Sequence, residues 1–177
     1  MRDFPSDGIG LQGGSGNYVA GCVVENCRGQ GFHPGTSLKS SIFTHNIGGA
    51  EALRAPGRRN TGDGLYFCME VEHCVISNSV FHENKASGIG GVGDGRDKHN
   101  IIANNICFLN GQHGINAFNG SDNSITNNGV LVPGWRKNVI CKDNSQSKPG
   151  ACSGIILRGR FCARLAQKRY TTSTRAA

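Results

Sequence analysis

Hydrophobic and polar positions recur along this chain with a spacing of roughly two dozen residues. Each repeat is marked by a glycine followed directly by an apolar residue. The marks stand at Gly8-Ile9, Gly31-Phe32, Gly64-Leu65, Gly88-Ile89, Gly114-Ile115 and Gly154-Ile155. Three of the intervals are 23, 24 and 26 residues long, and the other two, of 33 and 40 residues, indicate a repeat with an insertion. Such self-similarity predicts a solenoid, in which stacked repeats share one core.

Apolar residues also align between the marks. The columns twelve, eight and seven residues before the glycine are Val19, Ile76 and Ile102; Val23, Val80 and Ile106; and Val24, Phe81 and Cys107. Short runs of β-branched residues broken by Asn or Gly predict short strands joined by tight turns. A turn column consists of Gly21, Asn78, Asn104 and Asn127. Because Gly and Asn accept a left-handed backbone at low cost, we expect a sharp bend there, with stacked Asn side chains hydrogen-bonded along the axis.

The repeat length selects one fold class. It is too short for ankyrin or tetratricopeptide units, and the signature of leucine-rich repeats is absent. The sequence therefore predicts an all-β protein, a parallel β-helix with three strands per coil, about six coils and ~4.8 Å between neighbouring coils. We expect one β-helix domain over residues 1–157, with insertions near 48–60 and 129–150. Residues 158–177 do not continue the repeat, and they form either a cap or a poorly ordered tail.

Charge and hydropathy narrow the classes of function. The net charge is +7, but the last twenty residues contain six Lys and Arg residues and no acid, which leaves +1 for residues 1–157. The positive charge therefore belongs to the tail, which argues against a specific nucleic-acid-binding face. No apolar run approaches the ~18 residues of a membrane span, and the first residues do not resemble a signal peptide.

Eight cysteines are spread along the chain, at positions 22, 27, 68, 74, 107, 141, 152 and 162. No pair has the Cys-x-x-Cys spacing of a zinc ribbon or finger, so a structural zinc site has little support. We expect several of these cysteines to be small buried apolar residues, and disulfides remain an alternative.

Three columns of residues flank the glycine marks and define one face of the predicted rod. The turn column, one residue before the glycine, is Asp7, Gln30, Asp63, Ser87 and His113. Because side chains alternate along a strand, the positions two and four residues after the glycine point outward. They are Gly10, His33, Tyr66, Gly90 and Asn116, and then Gln12, Gly35, Cys68, Val92 and Phe118. Stacking of the coils would bring His33, Asp63 and Tyr66 together.

A second polar cluster follows the strand that begins at Ile89. It is the turn Asp94-Gly95-Arg96-Asp97-Lys98-His99, in which Asp94 and Asp97 are candidate ligands for Ca²⁺. Calcium prefers oxygen ligands, which a Gly-rich turn with two aspartates supplies. The alternative is a charged, solvated turn in which acids and bases balance.

Three segments carry a resemblance to a known family. They are Gly29-Gln30-Gly31-Phe32-His33-Pro34-Gly35-Thr36, Gly62-Asp63-Gly64-Leu65 and Val75-Ile76-Ser77-Asn78-Ser79-Val80-Phe81-His82-Glu83-Asn84. Over about residues 7–157 the chain resembles the right-handed parallel β-helix superfamily of pectate lyases, and locally the β-helical module of mannuronan C5-epimerases. Asp63 stands at an aspartate of the epimerase pattern, whereas Gln30, His33, Gly35 and Thr36 replace its Tyr, Asp, His and Glu. The resemblance implies a right-handed coil, an acidic polysaccharide as partner, and an extracellular or cell-surface location.

Chemistry on a uronic acid needs a base, an acid, and a positive group near the carboxylate. We expect His33 to be the base and Tyr66 the acid, with Asp63 orienting His33. The expected substrate-binding residues are Gln30, Arg58, Arg59, His113 and Asn116. The alternative is that Asp63 caps a turn and that His33 and Tyr66 are ordinary surface residues.

Two functions from different classes follow from these patterns. The first is a carbohydrate-active β-helix that binds or acts on an acidic polysaccharide, with lyase or C5-epimerase chemistry if it is an enzyme. The second is a non-catalytic solenoid, such as a surface, adhesion or tail-fibre-like module that presents one long face to a partner. The patterns establish no cofactor, and Ca²⁺ is the candidate, through Asp94 and Asp97. A groove that contains His33, Asp63 and Tyr66 would favour the first function.

Overall fold

The computed structural model of this chain describes residues 1–50, 59–92, 96–117, 122–131 and 155–157. These ranges contain sixteen short strands and no helix, so no helix in them is long and apolar enough to cross a membrane. In chain order the strands are β1 (Ile9–Gln12), β2 (Tyr18–Ala20), β3 (Val23–Glu25), β4 (Phe32–Gly35), β5 (Ile42–Thr44), β6 (Ile47–Gly49), β7 (Leu65–Tyr66), β8 (Val75–Ser77), β9 (Val80–His82), β10 (Ile89–Val92), β11 (Ile101–Ala103), β12 (Ile106–Phe108), β13 (Ile115–Ala117), β14 (Ser124–Thr126), β15 (Gly129–Leu131) and β16 (Ile155–Leu157).

The strands form three parallel sheets, and the chain visits each sheet once per coil. The first sheet has the order β1-β4-β7-β10-β13-β16, the second β2-β5-β8-β11-β14 and the third β3-β6-β9-β12-β15. Every strand of the first sheet begins directly after the glycine of one mark, so all six marks lie in this sheet. The prediction of a parallel β-helix with three strands per coil is confirmed.

The strand register agrees with the predicted apolar columns. In the second sheet Ile102 pairs with Ile76 on one side and with Ile125 on the other. In the third sheet Cys107 pairs with Phe81, and all five of these side chains are at most 2% exposed. Ile106, the strand neighbour of Cys107, is 44% exposed, as the alternation of side chains along a strand requires.

The core lies inside the coil and receives side chains from all three sheets. Phe32, Leu65 and Ile89, which follow three of the marks, are fully buried. Across the interior, Phe32 of the first sheet meets Phe81 of the third edge-to-face, with ring centroids 6.3 Å apart. Each fully buried side chain of this size stabilises the fold by about 1.5–3 kcal/mol.

No disulfide joins the five cysteines in the described ranges, which are Cys22, Cys27, Cys68, Cys74 and Cys107. Cys27, Cys74 and Cys107 are buried in the core, and burial raises the pKa of the Cys107 thiol. These three thiols therefore act as small apolar side chains, as the sequence predicts.

The close approach of neighbouring coils requires glycine at four of the marks, Gly8, Gly31, Gly64 and Gly88. A Cβ on Gly31 would lie 2.5 Å from the carbonyl oxygen of Gly64, and one on Gly64 would lie 2.7 Å from that of Gly88. A Cβ on Gly88 would meet the carbonyl oxygen of Gly114 at 2.7 Å. Because these obstacles are backbone atoms, they cannot move aside without shifting a whole coil. The repeated glycine is therefore a steric requirement of the stacking.

The predicted bends are present, but the ladder of stacked side chains begins one residue later. Asn78, Asn104 and Asn127 have φ values of 50°, 58° and 51°, in the left-handed region. Their side chains are exposed. The next residue in each coil carries the ladder: Asn105 Nδ2 donates to Asn128 Oδ1 at 3.0 Å. The bend residue turns the chain, and its successor points inward and pairs.

The prediction that Val92 points outward is wrong, because the strand that contains it is bulged. Ile89 pairs with Ile115, but Val92 pairs with Ala117, so β10 has one residue more than β13 between the two pairs. Gly91, at φ 72°, takes up the extra residue. Val92 is fully buried in the core as a result.

Both predicted insertions begin with residues that belong to the coil. Gly48 and Gly49 lie in β6, and Gly129 lies in β15. Asn60 is buried, and its Nδ2 donates to Asn84 Oδ1 at 3.0 Å. The rest of the first insertion, residues 51–58, and most of the second lie outside the described residues, as do Phe118 and the tail 158–177.

Candidate functional site

The outer face of the first sheet brings two of the predicted residues together. Pairing of β1 with β4 sets Gly10 beside His33, and pairing of β7 with β10 sets Tyr66 beside Gly90. Because Phe32 pairs with Leu65, the next residues, His33 and Tyr66, are also neighbours. Their rings meet edge-on, with centroids 5.7 Å apart and planes at 63°. The flanking glycines carry no side chain, so the two rings are the largest groups at this point of the face.

The carboxylate that contacts His33 is that of Asp7, which corrects the expected role of Asp63. His33 Nδ1 lies 2.6 Å from Asp7 Oδ2, and the two side chains are 19% and 27% exposed. Asp7 stands in the turn column of the preceding coil, where its side chain reaches β4. Asp63 stands in the following coil, and its carboxylate is directed toward Ser87. In the structure His33 therefore contacts Asp7 and Tyr66, and Asp7 takes the place that was expected for Asp63.

The second ring nitrogen of His33 has no such partner. Nε2 has almost no accessible surface, and no group among the described residues forms a hydrogen bond with it. Buried polar atoms are nearly always paired, so an orphaned nitrogen in a contact of this kind calls for a functional explanation. A ligand would reach Nε2 only after a neighbouring side chain moved aside.

The first three side chains of the turn column form a ladder, in which each binds the backbone of the next coil. Asp7 Oδ1 accepts a hydrogen bond from the Gln30 backbone N–H at 2.7 Å. Gln30 Oε1 in turn accepts from the backbone N–H of Asp63, and Asp63 Oδ1 accepts from that of Ser87 at 2.5 Å. Gln30, an expected substrate ligand, thus has its side-chain oxygen engaged within the coil.

Asp63 is the residue of this ladder with the most perturbed ionisation. Burial raises its pKa from 3.8 to about 6, although the hydrogen bonds from Ser87 act in the opposite direction. The carboxylate is only 7% exposed. It lies against Gly90, where a Cβ would meet Asp63 Oδ2 at 2.5 Å. The carboxyl group therefore changes its charge near pH 6, close to the face but turned away from His33.

The remaining substrate-binding predictions divide into exposed and buried residues. Arg59 is exposed at the point where the chain returns to the coil, and it forms an antiparallel bridge with Ala50. Arg58 lies outside the described residues. His113 and Asn116 are only 1% and 7% exposed, so neither presents its side chain to solvent. Their role in substrate binding stays a prediction.

One of the two aspartates of the predicted calcium turn, Asp97, lies inside the coil. Asp97 is fully buried, and its Oδ1 accepts a hydrogen bond from the backbone N–H of Val71 at 2.7 Å. The Asp97 carboxylate thus binds the backbone of the neighbouring coil and is not exposed at the surface of the turn. Asp94 lies outside the described residues. Within the ranges that the structure covers, no group of three or more His, Cys, Asp or Glu side chains is arranged to hold a metal ion.

Comparison with known proteins assigns the fold family. The family model described as a right-handed β-helix region matches residues 1–130. The chain belongs to this right-handed β-helix family. The right hand is the one expected for crossovers between parallel strands of the same sheet. No curated protein and no solved structure matches the chain.

Membership of the right-handed β-helix family explains the scaffold but leaves the chemistry to individual residues. The residue that sequence reasoning overlooked is Asp7, although it was placed in the correct turn column. A signal was present, because the register that sets Gly10 beside His33 places Asp7 one coil below and just before β1. Which carboxylate contacts His33 depends on how far a side chain reaches across coils, and periodicity does not describe that distance.

Proposed function

We propose that the outer face of the first sheet binds an acidic polysaccharide, and that His33 and Tyr66 move protons to and from a bound uronic acid unit. The contact of His33 with Asp7 on one side and Tyr66 on the other supports this proposal best. It combines a base, a carboxylate that orients the base, and a phenol, which together suit abstraction of the proton next to a carboxylate. An extracellular or cell-surface location is part of the same proposal, and it rests on the resemblance to polysaccharide-modifying β-helices.

Exposed basic side chains near the face are available to an acidic ligand. The corner that follows the first sheet carries Lys39, Arg96 and Lys98. They share two carboxylates: Glu72 lies 3.6 Å from Lys39 and 3.3 Å from Lys98, and Glu70 lies 2.8 Å from Arg96. Asp97, between Arg96 and Lys98 in the chain, adds a third carboxylate, so the charges of these residues balance. The three cations are 44–79% exposed and the two glutamates 17–37%, so a polyanion would meet the cations first. Arg58 and Arg59 are proposed to bring further positive charge to the ligand.

An activity screen on uronic acid polymers tests the proposal. Alginate and pectin are incubated with the protein over a range of pH, with and without Ca²⁺. Unsaturated products are followed by absorbance, and exchange of the C5 proton with solvent is followed by NMR. The expected result is product or exchange that His33→Ala abolishes. The control variant His73→Ala removes an exposed histidine away from this face, and it should leave the activity unchanged. Absence of both signals under all conditions would reject the enzymatic function.

A non-catalytic binding module is the second candidate, and the burial of His33 Nε2 favours it. An atom with almost no accessible surface does not touch a substrate in this conformation. The same polymers immobilised on a surface distinguish the two functions. Saturable, salt-sensitive binding without product or exchange would identify a binding module, whereas absence of binding would reject an acidic polysaccharide as the partner.

A further inference from the structure

We propose that Asp7 is a positioning residue that keeps the proton of neutral His33 on Nδ1, so that Nε2 carries the lone pair. The consequence for reactivity rests on the proposed function of this face, but the position of the proton does not. The sequence gives no direct indication of this role, since Asp7 and His33 are 26 residues apart.

The Asp7 carboxylate is held in place by the chain before it contacts His33. One oxygen, Oδ1, accepts the backbone N–H of Gln30 at 2.7 Å. The other, Oδ2, faces His33 Nδ1 at 2.6 Å. An ionised carboxylate only accepts hydrogen bonds, so Nδ1 must be the donor. The bond from Gln30 therefore holds the Asp7 carboxylate in its orientation toward His33.

The protonation of Nδ1 determines what His33 Nε2 can do. A neutral imidazole has one donor and one acceptor nitrogen, so Nε2 becomes the acceptor. This acceptor is buried, and none of the residues in the described ranges donates to it. The group that completes the site must therefore bring a hydrogen, either a hydroxyl of a bound sugar or the acidic C–H next to a uronate carboxylate.

Substitution of Asp7 by Asn inverts this arrangement without removing the bond to the coil. The amide of Asn must turn its oxygen toward the N–H of Gln30, because an amide nitrogen cannot accept a hydrogen bond. The amide nitrogen then faces His33 Nδ1 as a donor, which makes Nδ1 the acceptor and moves the proton to Nε2. A base at Nε2 is thereby lost while the shape of the site is kept.

Nitrogen NMR of protein labelled with ¹⁵N-histidine tests the proton position directly. At a pH where His33 is neutral, the wild type should show a protonated Nδ1 and a bare Nε2. Asp7→Asn should show the reverse pattern, and Asp7→Glu, which keeps a carboxylate, should restore the wild-type pattern. Asp122→Asn changes an exposed aspartate at another bend and should leave the His33 signals unchanged. A wild-type proton on Nε2, or the same pattern in Asp7→Asn and wild type, would overturn the proposal.

Kinetics separate this inference from the proposed function. If the protein is active on uronates, Asp7→Asn should lower kcat by about 100-fold or more, with KM changed by less than about twofold. A protein with the expected NMR pattern but no activity rejects the enzymatic function and leaves the positioning role intact. An active protein whose kcat is unaffected by Asp7→Asn rejects the positioning role in catalysis. Should Asp7→Asn fail to fold, the wild-type NMR pattern alone still decides where the proton resides.

Discussion

The inner corners of the coil and the outer face of the first sheet both bury polar side chains, but they satisfy them differently. At the corner that precedes the first sheet, Asn84 donates to Gly48 O at 3.0 Å and to Asn110 Oδ1 at 2.9 Å, and it accepts from Asn60 at 3.0 Å. On the outer face, His33 has one nitrogen bound and the other buried without a partner.

This difference indicates which polar groups serve the fold and which serve a function. A buried amide with all its hydrogen bonds formed adds specificity and stability to the stacking. A buried nitrogen without a partner lowers the stability, so its presence needs another reason. The ladders therefore belong to the scaffold. His82 Nδ1 is also buried without a hydrogen bond, so it is the additional contacts with Asp7 and Tyr66 that assign His33 to a site. The following predictions test this division, beginning with the largest expected effect.

A carboxylate placed in the core away from any ladder should have the largest effect. Ile102→Asp would bury a charge among apolar side chains, unlike Asp97, which has a backbone N–H as partner. We expect a loss of more than about 5 kcal/mol in the free energy of unfolding, which is enough to prevent folding. Urea denaturation followed by far-UV circular dichroism measures it. Ile106→Asp, at a position 44% exposed, is the matched control and should cost less than about 1 kcal/mol. Equal losses in both variants would refute the assigned alternation.

Removal of one side chain from an inner ladder should have the second-largest effect on the free energy of unfolding. Asn84→Ala removes the side-chain hydrogen bonds to Asn60, to the carbonyl of Gly48 and to Asn110, while Asn60 Nδ2 keeps a longer bond to Val24 O at 3.4 Å. A buried group that loses its partner costs about 1–3 kcal/mol, so we expect a loss of about 3 kcal/mol. The control is Asn78→Gly, at an exposed bend with φ 50°, where Gly is equally suited and the change should be below about 1 kcal/mol. A loss below that of the control would mean that the ladder contributes nothing to the free energy of unfolding.

Sequence periodicity predicts the scaffold well because stacking repeats the same physical demand in every coil. Gly88 must be glycine for the same steric reason as Gly64, and Ile76 and Ile102 fill the same core position. The site does not repeat, so periodicity carries no information on it. Whether His33 pairs with Asp7 or with Asp63 depends on side-chain rotamers within two adjacent coils. The bulge at Gly91 was missed for the same reason, since it occurs in one coil alone.

Asp63 belongs to a ladder, yet its pKa is abnormal. It therefore tests whether a ladder residue serves the scaffold alone. Its pKa of about 6 in the folded protein exceeds the ordinary 3.8, so the folded protein binds the proton more tightly than the unfolded chain. The resulting stabilisation is complete below about pH 4 and is lost as the pH rises through 6. The shift in the pKa of Asp63 corresponds to up to about 3 kcal/mol in the free energy of unfolding.

Asp63→Asn should remove this pH dependence. The amide oxygen of Asn can still accept the Ser87 N–H, and the amide carries no charge at any pH. We therefore expect a variant that is more stable than the wild type at pH 8 and equally stable at pH 4. Urea midpoints at both pH values measure the effect. Asp122→Asn, at an exposed bend, serves as the control and should give a pH profile parallel to that of the wild type. A wild-type profile in Asp63→Asn would show that this carboxyl group titrates normally.

The smallest expected change in stability concerns the group that defines the site. His33→Phe removes a charge-assisted hydrogen bond to Asp7, which contributes about 1.5–3 kcal/mol, and also removes a buried unpaired nitrogen, which costs about 1–3 kcal/mol. The two effects nearly cancel, since the Phe ring keeps the contact with Tyr66 and Asp7, at 27% exposure, is solvated. We expect a net change within about 1 kcal/mol in the free energy of unfolding, measured in urea beside Asn84→Ala. A loss as large as that of Asn84→Ala would place His33 in the scaffold, and the argument that its orphaned nitrogen marks a functional site would fail.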